Sequence, residues 1–102
     1  MPKDEKFAAE WFRKAAEQGH AGAQYSLGMR YEYGEGVLQD YGEAMRWYRK
    51  AADQGDSDAQ YNLALMYKNG RGVPKNKGEA RRWFQKAADQ GDEDAKDQLQ
   101  NL

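Results

Sequence analysis

Three near-copies of one hexapeptide, Trp11-Phe12-Arg13-Lys14-Ala15-Ala16, Trp47-Tyr48-Arg49-Lys50-Ala51-Ala52 and Trp83-Phe84-Gln85-Lys86-Ala87-Ala88, stand at a constant spacing (47 − 11 = 36 and 83 − 47 = 36). Self-similarity at a fixed period of this size marks a chain built from stacked supersecondary units. Such units bury their apolar faces against one another rather than around one private core. The constraint is severe, because every position 36 residues apart must then play the same structural part.

The rest of the sequence agrees. Phe7, Ala8, Trp11, Phe12, Ala15 and Ala16 recur at helical spacing, which predicts a helix over 4–18 closed by Gly19. The same pattern predicts helices over 40–54 and 76–90, closed by Gly55 and Gly91. Asp40 and Asn76 are the N-caps expected, since a short side-chain oxygen accepts an orphan backbone N–H. A second helix type alternates with the first, over 21–33 and 57–69, with a shortened copy at 92–101. Here Leu27, Tyr31, Leu63 and Tyr67 supply bulk, and Ala23, Gly28, Ala59 and Ala64 allow a neighbouring helix to come close. Gly34 and Gly70 sit where a helix end takes a left-handed residue. Val37 and Val73 are the apolar plugs of the loops that follow. The fold class is all-α: an α-solenoid of antiparallel helix pairs with six helices and no strand. It divides into a half-unit 4–19, repeats 20–55 and 56–91, and a capping helix 92–102.

The two ends differ. In the last helix Asp97 replaces the aromatic of Tyr25 and Tyr61, and Gln100 replaces Gly28 and Ala64, giving a polar face that closes a stack against water. At the other end Phe7 stands where later copies have Glu43 and Glu79. Phe7 and Trp11 form an i, i+4 apolar pair at which weak self-association is expected. The Met-Pro start falls on a half-unit, as in a segment taken from a longer repeat protein.

Composition excludes several classes of partner. Lys+Arg 16 against Asp+Glu 17 leaves a net charge of −1, without the basic stripe that nucleic acid requires. No apolar run is long enough to span a membrane. The first residues lack the apolar core of a signal peptide. Zero Cys removes disulfides, thiolate metal sites and a cysteine nucleophile, and leaves cytosol and periplasm both open. No cofactor, metal or catalytic residue is expected. His20, the one histidine, replaces Asp56 and Asp92 in a turn and reads as solvated. Asp53, Asp56 and Asp58, like Asp89, Asp92 and Asp94, read as caps and helix-dipole partners rather than as cation ligands. Gly34-Glu35-Gly36 follows a helix, not a strand, so it is no phosphate loop. The tryptophans beside alanine doublets read as core.

The pattern Ala23-Gln24-Tyr25-x-Leu27-Gly28-x-x-Tyr31-x-x-Gly34-x-Gly36-Val37-x-x-Asp40-Tyr41-x-x-Ala44-x-x-Trp47-Tyr48-x-Lys50-Ala51-Ala52-x-Gln54-Gly55 resembles the Sel-one-like repeat, a longer relative of the tetratricopeptide repeat. Departures are mild: Ala64 for the glycine of the first copy and Lys77 for the aromatic at Tyr41. The resemblance implies a right-handed superhelix whose concave surface is lined by the first helix of each unit. It also implies an adaptor that holds a protein or peptide. The β-lactam binding linked to some cysteine-rich members does not carry over to a chain without Cys.

Aligning Leu27, Gly28 and Tyr31 with a tetratricopeptide scaffold points Tyr25, Met29, Glu32 and Tyr33 into the groove, followed by Tyr61, Leu65, Lys68 and Asn69. Met29 and Leu65 are expected side by side as apolar contacts, with Glu32 and Lys68 setting register. The rival reading is a structural or self-assembling solenoid, natural or engineered, that associates through its N-terminal face.

Overall fold

A computed structural model describes the backbone of residues 5–102 and the side chains from residue 10 onward, so Phe7 lies outside the described side chains. Its six helices are α1 Glu5–Glu17, α2 Ala21–Tyr33, α3 Tyr41–Asp53, α4 Ser57–Asn69, α5 Lys77–Asp89 and α6 Glu93–Gln100. There is no strand among the described residues. Each helix packs chiefly on its neighbours in sequence, and the stack measures 44 × 24 × 23 Å. This is the elongated shape that nearest-neighbour packing produces.

The helix boundaries have local causes that repeat with the sequence. Asp40 and Asn76 accept the backbone N–H of Glu43 and Glu79 at 3.1 and 3.0 Å. Asp56 and Asp92 do the same for Ala59 and Ala95. His20, at the equivalent place before α2, makes no side-chain cap bond and is exposed. In the second loop, Gly72 combines a positive φ of 76° with a close approach. A Cβ there would stand 3.0 Å from the Tyr41 carbonyl oxygen, so any other residue would push the loop off the start of α3.

The most extensive packing is α2 on α3 and α4 on α5. A Cβ added at Gly28 would stand 2.6 Å from the Tyr48 ring, so the ring occupies the space a side chain would need. One repeat later Phe84 and Ala64 hold the same positions, both fully buried. Glutamines tie neighbouring units together. Gln24 donates to the Ala16 carbonyl at 3.1 Å and accepts from Gln54 at 2.8 Å. Gln60 repeats both bonds with Ala52 and Gln90, at 3.2 and 2.9 Å. These are buried polar groups satisfied across the repeat boundary.

The tryptophans part company. Trp47 and Trp83 are 2% exposed and belong to the core, whereas Trp11 is 59% exposed and does not. No described residue packs over the outer side of α1, so the same sequence position is buried in two copies and open in the first. Trp47→Ala is therefore expected to cost about 3–5 kcal/mol, the usual range for a buried large aromatic. Trp11→Ala should fall within the roughly 0.5 kcal/mol of ordinary surface changes. Chemical denaturation of the two variants checks this, and equal losses would contradict the open N-terminal end.

Candidate functional site

Three hollows lie along the face formed by α2, α4 and α6, and they are copies of one another in sequence register. The middle one, about 190 Å³, has Glu32 and Tyr33 on one wall and Asn62, Leu65, Met66 and Arg71 on the other, with Asn69 at its edge. The first, about 150 Å³, is lined by Ser26, Met29, Arg30 and Glu35 together with Phe12. Those first four residues are the equivalents, 36 positions earlier, of Asn62, Leu65, Met66 and Arg71. Beside that wall, Phe12 of α1 completes the described lining. The third, about 420 Å³, is lined by Lys68 and Asn69, the equivalents of Glu32 and Tyr33, and by Asn101 and Leu102, with Lys75 and Lys77 at its mouth.

Glu32 is the best-anchored polar group of the middle hollow. It is 7% exposed, accepts from the Tyr48 hydroxyl at 2.6 Å and lies 3.3 Å from the Arg71 guanidinium. Gln39 donates to the Glu32 carbonyl at 2.8 Å and pins the last turn of α2. A buried carboxylate needs such partners, because its desolvation is otherwise uncompensated. Burial, and then the neighbouring Glu32 carboxylate, push the Tyr48 hydroxyl pKa upward from 10.0. Tyr25 is raised too, by burial and then by the Asp58 carboxylate.

The sequence-expected site residues are thus distributed rather than gathered. Glu32, Tyr33, Leu65 and Asn69 do meet at the middle hollow. Met29 faces the first hollow, so its expected pairing with Leu65 does not form; the two hold the same repeat position on successive walls. Lys68 faces the third and donates to Gln98 of α6 at 2.7 Å. Glu32 is buried as part of the scaffold, and what it presents to the hollow is the ion pair with Arg71. Tyr25 and Tyr61 are half-buried and pack on Tyr48 and Phe84, with centroids 5.8 and 5.6 Å apart, as repeated scaffold. Arg71 and Asn62 were not anticipated. The signal for Arg71 is a double sign reversal between copies, Glu32 and Glu35 against Lys68 and Arg71, which marks a pair reaching across the repeat boundary.

No helix is long and apolar enough to cross a membrane among the described residues. Substituting Tyr48→Phe tests the anchoring of Glu32, since Phe84 shows that the packing accepts phenylalanine. The variant should lose about 1–3 kcal/mol near neutral pH, because it leaves a buried acceptor without its donor. Tyr48 ionises in the unfolded chain from about pH 10 but stays protonated in the fold, so its contribution is lost as pH rises past 10. Urea midpoints should therefore show the gap between the two proteins narrowing from pH 8 to pH 11. A constant gap would contradict the assignment.

Comparison with known proteins places these features. The family model for the Sel1 repeat matches residues 1–20, 21–56 and 57–92. The crystal structure of a Sel1 repeat protein from Oxalobacter formigenes superposes with a TM-score of 0.92 at 40% identity, over 97% of this chain and 41% of that one. The protective antigen c5321 of uropathogenic Escherichia coli strains, which displays an SLR fold, gives 0.83 at 52% identity over 84% of this chain and 18% of that one. Cysteine-rich protein B of Helicobacter pylori gives 0.81 at 34% identity over 85% of this chain and 65% of that one. The chain spans less than two thirds of each of these proteins. No curated protein matches it.

Proposed function

The chain belongs to the Sel1 repeat family, and from that premise we propose that it is a protein-interaction module, not an enzyme, which holds a peptide segment of a partner along the face of α2, α4 and α6. The observation that carries this reading is the middle hollow. Leu65, Met66 and the Tyr33 ring surround a space large enough for an apolar side chain, and the Glu32–Arg71 pair holds one side of it rigid. Tyr33 is 58% exposed beside it, an amphipathic aromatic of the kind that serves as an anchor at interfaces. Leu65 and Tyr33 differ from their counterparts Met29 and Asn69, as recognition positions do when scaffold positions stay fixed. A peptide groove of this kind reads alternate anchors of a bound segment.

A second reading is favoured by a different observation. Among the described residues the first hollow has one wall of the middle one with Phe12 of α1 beside it, and Trp11 of the same helix stands 59% exposed. Such an exposed apolar surface is a candidate for association with a second copy. The proposed boundaries of the units, 4–19, 20–55, 56–91 and 92–102, put Trp11 and Phe12 on the half-unit and the rest of this surface on the repeat 20–55.

For the peptide reading, a groove this short should bind on the order of micromolar, or about −8 kcal/mol. The double change Tyr33→Ala with Leu65→Asp should weaken a bound peptide at least about tenfold, one decade of affinity, while circular dichroism stays unchanged. Unaltered affinity would move the site off this face. For the second reading, sedimentation at rising concentration should show association that Trp11→Glu removes; a monomer at all concentrations would dismiss it.

A further inference from the structure

Within the face proposed above as the peptide site, the third hollow has a chemistry the other two lack. Lys68, Lys75 and Lys77 surround it with Asn69, Asn101 and Leu102. None of the three ammonium groups lies within 4.0 Å of a carboxylate among the described residues; the ion pairs found there are Arg30–Glu35, Arg46–Glu43, Arg49–Asp53, Arg71–Glu32, Arg82–Glu79 and Lys96–Glu93. The repeat makes the contrast informative. In the middle hollow the charge at position 32 is met by Arg71 of the next loop. In the third hollow the equivalent charge, now Lys68, is met only by the neutral amide oxygen of Gln98.

Two of the lysines are held there by local contacts. Lys68 is tethered to α6 by its 2.7 Å bond to Gln98. The Lys75 stem packs over Gly70, where its Cγ would stand 3.0 Å from an added Cβ. Lys77 is the first residue of α5, where the helix dipole disfavours a cation, and its counterpart at the start of α3 is Tyr41. The acid in that turn, Glu79, is engaged with Arg82 at 3.3 Å. Three ammonium groups gathered around one cavity repel one another, and an anion placed among them relieves that repulsion. Asn69 lines both the middle and the third hollow, so one ligand can occupy both.

We infer that the third hollow is an acidic subsite: it receives carboxylate side chains of the partner peptide, placed next to the apolar residue that fills the middle hollow. The lysines supply charge and the amides of Asn69 and Asn101 supply hydrogen bonds, with Asn101 oriented by its own bond to the Asp97 carbonyl at 3.0 Å. Recognition by long-range charge makes this subsite a determinant of partner choice and on-rate, sensitive to ionic strength.

The test uses two fluorescein-labelled peptides, one with a leucine followed by Asp-Glu-Asp and one with the same leucine followed by Asn-Gln-Asn, titrated into the whole chain and read by anisotropy. The acidic peptide should bind at least about tenfold more tightly, one decade of affinity, and the preference should shrink with added salt. Replacing Lys68, Lys75 and Lys77 by Gln should erase the preference. Replacing Lys14, Lys50 and Lys86 by Gln, the same charge change on α1, α3 and α5, should keep it. Equal binding of both peptides, failure of the acidic one to bind, or a preference that survives the first triple change would overturn the inference. Equal binding that Leu65→Asp abolishes would remove the acidic subsite and leave the peptide face standing. A preference that is lost in the Lys68, Lys75 and Lys77 variant yet unaffected by Leu65→Asp would keep the subsite and detach it from the groove.

Discussion

The fit of an aromatic ring on one helix into the place of a missing side chain on the helix before it is what the stack depends on. Tyr48 fills the space over Gly28, and one repeat later Phe84 and Ala64 hold the equivalent positions, both fully buried, with a methyl where Gly28 has none. Because the ring and the small residue lie on successive helices, the contact sets how far apart α2 and α3, and α4 and α5, can be. The glutamine bonds then lock the next boundary, from α1 through α2 to α3 and from α3 through α4 to α5. In α6 the sequence changes: Gln100 takes the small-residue position and is exposed.

Repetition made the scaffold readable. Six helices, their caps and the buried Trp47 and Trp83 follow from a period that assigns each residue the role of its copies. The period alone groups Trp11 with the core tryptophans, whereas its i, i+4 pairing with Phe7 at the N-terminal face marks it as open, and it is 59% exposed. The face was harder to read. Helix rotation turns Glu32, Tyr33, Leu65 and Asn69 to one face, and these four line the middle hollow. It treated α2 and α4 as facing walls at equivalent positions, however, whereas each helix presents one set of positions forward and another backward. Met29 and Leu65 are on the same set and line different hollows. Glu32 looked like a surface charge because nothing local reveals the Tyr48 hydroxyl reaching it from α3, 16 residues away.

The likeness in fold to three longer proteins, at 34% to 52% identity, shows how tolerant this architecture is of what lies on its surface. Within one chain the same tolerance is visible. A single repeat position is Glu32 in one copy and Lys68 in the next, and the hollow beside it turns from a closed ion pair into an open basic cavity. Scaffold and recognition are therefore separable by position, which is the physical basis for reading an interaction module in this sequence.

The contact between Gly28 and Tyr48 is tested most directly by one substitution made twice in the same helix. Gly22 of α2 is exposed, and an added Cβ would meet nothing closer than the His20 ring at 3.8 Å. Gly22→Ala should therefore stabilise the chain by up to about 1 kcal/mol through helix propensity alone. Gly28→Ala gains the same propensity but drives a methyl into a ring that its bond to Glu32 prevents from retreating. Denaturant midpoints are expected to rise for Gly22→Ala and fall for Gly28→Ala. A rise in both would mean that the ring does not fix the spacing of α2 and α3.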